Sequence, residues 1–231
     1  MSTNQLKYIL LFFIVVVFQT TITAQEDTLA NNKREFVASP VIIETIIGNN
    51  GVNIESVFSK KFTPTSRFGI FGIVDMYGVY DTKMQEVRNQ QMAQTQITFA
   101  ILKNLDISAG VFFEKYSGFR PTLGLQYNLF VGDFHLLLAP RIDLSQTYNG
   151  EAVGFLEYTP KIKNEWRVYS RVQRLYNWDF KNELHNISYL RGRLGASYQI
   201  YRFGLGANFN HLGPQKIREH NYGLFVEVLL F

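Results

Sequence analysis

Five of the arginines in the last third of the chain fall at spacings that suit one face of an extended backbone: Arg167 and Arg171, then Arg191 and Arg193, then Arg202. Residues two or four apart in a strand share a face. Adjacent strands lie about 4.8 Å apart, so three neighbouring strands would fuse these arginines into one basic wall. Acids of matching parity come from the early segments, at Glu44, Glu55, Asp75, Asp106 and Glu114, while Glu157 and Glu227 fall closer to the arginines. Arg120 and Arg141 complete the set. Guanidinium groups facing carboxylates across a lumen have two uses. They can set up a transverse field at a constriction that orients and screens passing polar solutes. They can also close the lumen with salt bridges. The residues alone leave both open.

Nucleophilic and metal chemistry find less material. Outer-membrane phospholipases and lipid A deacylases pair His with Ser on a lipid-facing wall, but the four histidines here form no His-x-Ser strand motif. His135 reads as lumenal, and His185, His211 and His220 read as outer-loop or strand-end residues. His185 and Ser188 are close in sequence. His211 and His220 could meet across the last loop, yet two ligands with no carboxylate make a poor metal site. Cysteine is absent, which removes every thiolate site and any disulfide framework. No catalytic residue, metal or cofactor is therefore expected. A formal net charge of +4, thinly scattered, gives no argument for a nucleic-acid partner.

The elements that must carry these side chains are strands. From Pro40 onward, apolar and polar residues alternate in segments of about ten, punctuated by turn signals and without a helical stripe. Leu105, Ile107, Ala109, Val111 and Phe113 oppose Asp106, Ser108, Gly110 and Glu114. Phe119 through Leu129 oppose Arg120, Thr122, Gly124, Gln126 and Asn128, and the pattern recurs over 134–144, 166–173, 189–198 and 202–210. Less regular segments at 41–47, 52–61, 67–79, 91–102 and 151–159, together with the terminal strand, bring the count to twelve. Ten is the alternative if the first two fail. Pro140 falls inside a strand and predicts a bulge. Short turns are expected on the side of the chain ends, and the longest loops opposite, at 84–91, 176–186 and 212–219. In the middle loop, Trp178 and Phe180 are candidates to gate the lumen or touch a ligand, against a plainer role in an aromatic girdle.

Both ends of the sequence agree with a membrane destination. Lys7 precedes the apolar run Tyr8 to Phe18, and Ile22 and Ala24 occupy cleavage-type positions. That is a secretory signal peptide over 1–24, with 25–39 a periplasmic segment. The final strand, Tyr222 to Phe231, alternates apolar side chains against Glu227 and closes on an aromatic residue. It resembles the last strand of bacterial outer-membrane β-barrels, although Phe231 shares parity with Glu227 and not with the apolar face. Aromatics at 15% would furnish two interfacial girdles.

The resemblance, extended over residues 40–231, is to small porin-like channels. It implies an all-β, transmembrane, antiparallel up-and-down barrel in the outer membrane. Its partners would be outer-membrane lipid, small polar solutes and the barrel-insertion machinery, engaged through the C-terminal strand. The function it implies is passive diffusion of small hydrophilic solutes with a mild anion preference from the arginines. The alternative is a plugged barrel acting as a lipid-modifying enzyme or a surface adhesion scaffold.

Overall fold

A computed structural model describes residues 40–81, 83, 88–145 and 147–230. The expected signal peptide over 1–24, the 25–39 segment and Phe231 lie outside these described residues. Twelve strands close into an antiparallel barrel: β1 Val41–Gly48, β2 Gly51–Lys61, β3 Phe68–Val79, β4 Gln90–Leu102, β5 Leu105–Glu114, β6 Gly118–Val131, β7 Phe134–Asp143, β8 Gly150–Tyr158, β10 Trp166–Asp179, β11 Leu184–Tyr198, β12 Tyr201–Leu212 and β13 Ile217–Leu230. A three-residue strand, β9 (Lys161–Lys163), pairs only with the start of β10. Closure runs along β1 and β13, in register from Val41↔Leu230 to Gly48↔Gly223. Both weakly patterned early strands are present, so twelve holds over ten. We call the rim where β1 starts and β13 ends the near rim, and the opposite one the far rim.

Alternation translates directly into two faces. On the outside, Ile47, Leu224, Leu205 and Leu194 pair in a row across four strands, each 62–65% exposed. Such a belt of exposed aliphatics has no stable home in water and suits hydrocarbon. The near-rim hairpins at Asn104 and Gly132 hold positive φ, 64° and 58°, as tight two-residue turns require.

Three expectations change. The Tyr176–Asn186 loop shrinks to a turn at 180–183, because β10 and β11 continue to Asp179 and from Leu184; Trp178 is thus a strand residue. What looked like loop composition is strand with one extra residue: pairing slips between Asn177↔Ile187 and Trp178↔His185, leaving Asn186 bulged. The 212–219 loop likewise tightens to 213–216, so loop length differs less between the rims than expected. At Pro140 there is no bulge. Pairing of β6 with β7 lapses between Gly124↔Arg141 and Tyr127↔Leu138 yet resumes in the same register, so the missing proline N–H is absorbed by a gap in one ladder. On its other side Pro140 still pairs with Ala152.

The inside departs most from expectation. Alternation suggests a lumen lined by polar and small residues. Ile42, Val57, Phe71 and Ile73 from one wall instead form one buried cluster with Leu137, Val153, Phe155, Leu175 and Tyr189 from the other. Ile46, Tyr169 and Phe225 form a second. Opposite walls touch, so this interior is packed in the manner of a protein core.

Candidate functional site: an ionic septum across the lumen

Four acids stand side by side on four consecutive strands. Register places Glu227 beside Glu44, Glu44 beside Glu55, and Glu55 beside Asp75, all inward and all buried. Like charges directly opposite one another repel, and burial magnifies the repulsion. Such a row is tolerable only if cations reach it, and the nearest cationic strands lie across the lumen. Arginine suits the task through its length, permanent charge and forked donors.

Arg171 sits at the centre. Its Nη2 lies 2.9 Å from Glu55 and 3.3 Å from Glu44, and its Nη1 lies 3.3 Å from Glu227. Arg193 grips Glu44 with two donors, Nη2 at 2.6 Å and Nε at 2.9 Å. Its side chain lies along a wall kept low by Gly206, where a Cβ would fall 2.7 Å from Ile46 Cδ1 and 3.2 Å from Arg193 Cδ. Arg191 bridges Glu55, at 2.9 Å, and Asp75. Arg202 bridges Glu227, at 2.6 Å, and Glu157, at 3.2 Å. The Tyr169 hydroxyl stands 3.1 Å from both Glu157 and Glu227, and Gln173 donates to Glu55 at 2.6 Å. Aromatic faces complete the setting, with the Arg191 guanidinium 3.9 Å above the Tyr189 ring and that of Arg202 4.5 Å above Tyr169.

A second cluster lies toward the far rim. Arg120 contacts Asp143 at 2.9 Å and Glu114 at 3.2 Å, while Arg141 contacts Asp143 and, at 3.0 Å, Glu151. Phe112 is wedged beneath both guanidinium groups. Cavities remain on either side of the septum. One of about 160 Å³ opens near Pro40, Asp133 and Thr159 at the near rim, and one of about 50 Å³ lies near Gln90, Glu114 and Asn186 at the far rim.

The structure therefore unites Glu44, Glu55, Asp75, Glu157, Glu227, Arg171, Arg191, Arg193 and Arg202 in one network, and Arg120, Arg141 and Glu114 in another. Asp106 stands apart with Lys61 at 2.6 Å. Arg167 does not join the wall; it has lumenal parity but projects past the near rim, 45% exposed and 3.2 Å from Asp133. Its position as the second residue of β10 puts it beyond the pairing of β8 with β10, which begins at Ser170↔Tyr158. Trp178 stacks with Tyr176, ring centroids 6.3 Å apart, in the girdle position and away from the lumen. Phe180 sits in the 180–183 turn, its ring over Gly150. The candidate set lacks Asp143, which alternation already puts on the polar face of its strand, and Glu151, whose parity on β8 could have revealed it. It also missed Tyr169 and Gln173, which carry no charge to draw attention.

No protein-family model matches the chain, and no curated protein matches it. Among solved structures it is similar to the NanC porin, with 11% identity, 83% of this chain and 99% of that one covered, and a TM-score of 0.45. It is similar to the KdgM porin at 13% identity, with 81% and 97% covered and a TM-score of 0.43. LpxR from Salmonella typhimurium gives 10% identity, 84% and 100% covered, and a TM-score of 0.37. At these identities and scores the likeness assigns no activity.

Proposed function

We propose that this chain is an outer-membrane barrel, far rim outward, whose lumen is sealed in its resting form and whose work is done at its membrane-facing and outer surfaces. The septum carries this reading: five carboxylates and four arginines, paired with one another, span the lumen beside an apolar cluster that joins opposite walls. A twelve-stranded barrel stands between eight strands, filled by side chains, and sixteen or more, which leave a channel. The septum supports the filled side for this one. Purified protein in a planar lipid bilayer is expected to show conductance at the level of lipid alone. Steady open-channel current from the wild type would overturn the sealed reading.

A second reading keeps the solute pathway and makes the septum its gate. It is supported by the cavities on either side and by the charged groups between them. Under this reading the wild type shows brief openings whose frequency rises in Glu44→Gln. The arginines are each engaged with carboxylates, so an anion preference would need the septum to rearrange first.

A further inference from the structure

The bulge at Asn186 re-aims a histidine, as bulges do next to functional sites. Without it, His185 would share the lumenal parity of Tyr189 and Arg191. With it, His185 pairs opposite Trp178 and stands edge-on to Tyr176, their ring centroids 5.7 Å apart, on the outer wall near the far rim. There its Nε2 lies 3.0 Å from Ser188 Oγ, and its Nδ1 lies 2.7 Å from the carbonyl oxygen of Gly213. A carbonyl only accepts, so Nδ1 carries the ring proton and Nε2 offers its lone pair to the serine hydroxyl. The order is nucleophile, base, orienting group.

The orienting carbonyl is itself fixed. Gly213 holds a φ of 66° in the last turn, and its N–H donates to the carbonyl of the bulged Asn186 at 2.6 Å. One backbone irregularity therefore sets both the ring and its partner. Ser188 is partly exposed, while His185 is buried beneath it. Across the strands, Ser188 is registered with His211, and His211 with Arg218. His220 stands edge-on to His211, and Arg218 and Lys216 act on the same imidazole electrostatically. Phe209 and Tyr222 frame the patch with further rings. Aromatic belts mark the headgroup level of a bilayer. The ester linkages of a lipid lie at that depth, just below its phosphate.

We propose that Ser188 and His185 form a catalytic dyad that hydrolyses an acyl ester of a phosphate-bearing lipid, with Arg218 and Lys216 receiving the phosphate. Ser188 Oγ bonds to the ester carbonyl carbon as His185 Nε2 takes its proton. The tetrahedral adduct collapses, the carbon–oxygen bond to the alcohol breaks, and His185 returns the proton to the departing oxygen. Water, deprotonated by the same nitrogen, then attacks the acyl carbon, the bond to Ser188 Oγ breaks, and His185 returns the proton to that oxygen as the fatty acid leaves. His211, beside Ser188, is the group placed to donate to the oxyanion.

This inference rests on the outer-membrane, surface-active reading, but its assay does not depend on the lumen. Full-length protein in detergent micelles is incubated with phosphatidylglycerol or with lipopolysaccharide, and released fatty acid is followed by mass spectrometry. Release from one of the two is expected and names the lipid source. Ser188→Ala and His185→Ala should each lower the rate by about 100-fold or more. Both variants should retain heat-modifiable migration, the sign of an intact barrel. Arg218→Gln should raise KM with little change in kcat. A fluorophosphonate should label Ser188 in the folded wild type. An unlabelled Ser188 with no release from either lipid overturns the dyad, as does release undiminished in Ser188→Ala. Bilayer current from the wild type would reject the sealed lumen and leave the dyad standing.

Discussion

Arg171→Ala is expected to destabilise the folded barrel by about 3–5 kcal/mol, the cost of breaking a buried ion pair from one side. The argument rests on what stays behind. Glu44, Glu55 and Glu227 would keep their positions on adjacent strands, lose their common cation, and face one another in a site closed to water. Arg193 would still hold both oxygens of Glu44, and Arg191 and Arg202 one oxygen each of Glu55 and Glu227, which limits the loss but cannot replace a central charge. Arg171→Met with Glu55→Gln should recover part of it, because removing both signs together leaves less charge unmatched. Arg167→Ala, exposed beside Asp133, should cost no more than about 1 kcal/mol. Urea unfolding in lipid vesicles, followed by tryptophan fluorescence, separates these outcomes. An Arg171→Ala barrel as stable as the Arg167→Ala barrel would show that the septum is electrostatically idle.

The second large effect belongs to the outer wall. Leu205 lies near the middle of its strand in the exposed row of Leu194, Leu224 and Ile47. Leu205→Arg should cost about 2–4 kcal/mol in a bilayer, because the guanidinium is forced toward hydrocarbon. The same change at Tyr201, at the near rim, should cost about 0–1 kcal/mol, since the side chain can reach the headgroups. The contrast tests depth as well as direction. Equal costs at both positions would remove the case for a membrane-spanning wall.

Much of the barrel was legible as period-2 alternation, because a strand with two solvents writes its faces into every second residue. The twelve strands and the inward acids at 44, 55, 75 and 227 follow from parity alone. Parity gives a direction, however, and carries no information about the distance to the far wall. That is why nothing in the alternation shows Ile42 and Phe155 to belong to one cluster across the lumen. Periodicity also fails wherever one residue is inserted. The sequence puts His185 in an outer loop or at a strand end, close to Ser188 but on no common strand face, and only the bulge at Asn186 brings the two to the same side. Arg167 shows the opposite limit: its parity is right, but its height along the strand is not encoded in the alternation.

The acid row crosses the seam where β13 meets β1, and every arginine that satisfies it comes from β10, β11 or β12. The early strands thus carry a liability that only the last third of the chain can cancel. A sheet made of β1 to β8 would hold Glu44, Glu55 and Asp75 shoulder to shoulder, so incomplete barrels have a reason to stay open and hydrated. Sealing the seam and neutralising the row are one event, which makes the final strands a checkpoint for assembly as well as its last pieces.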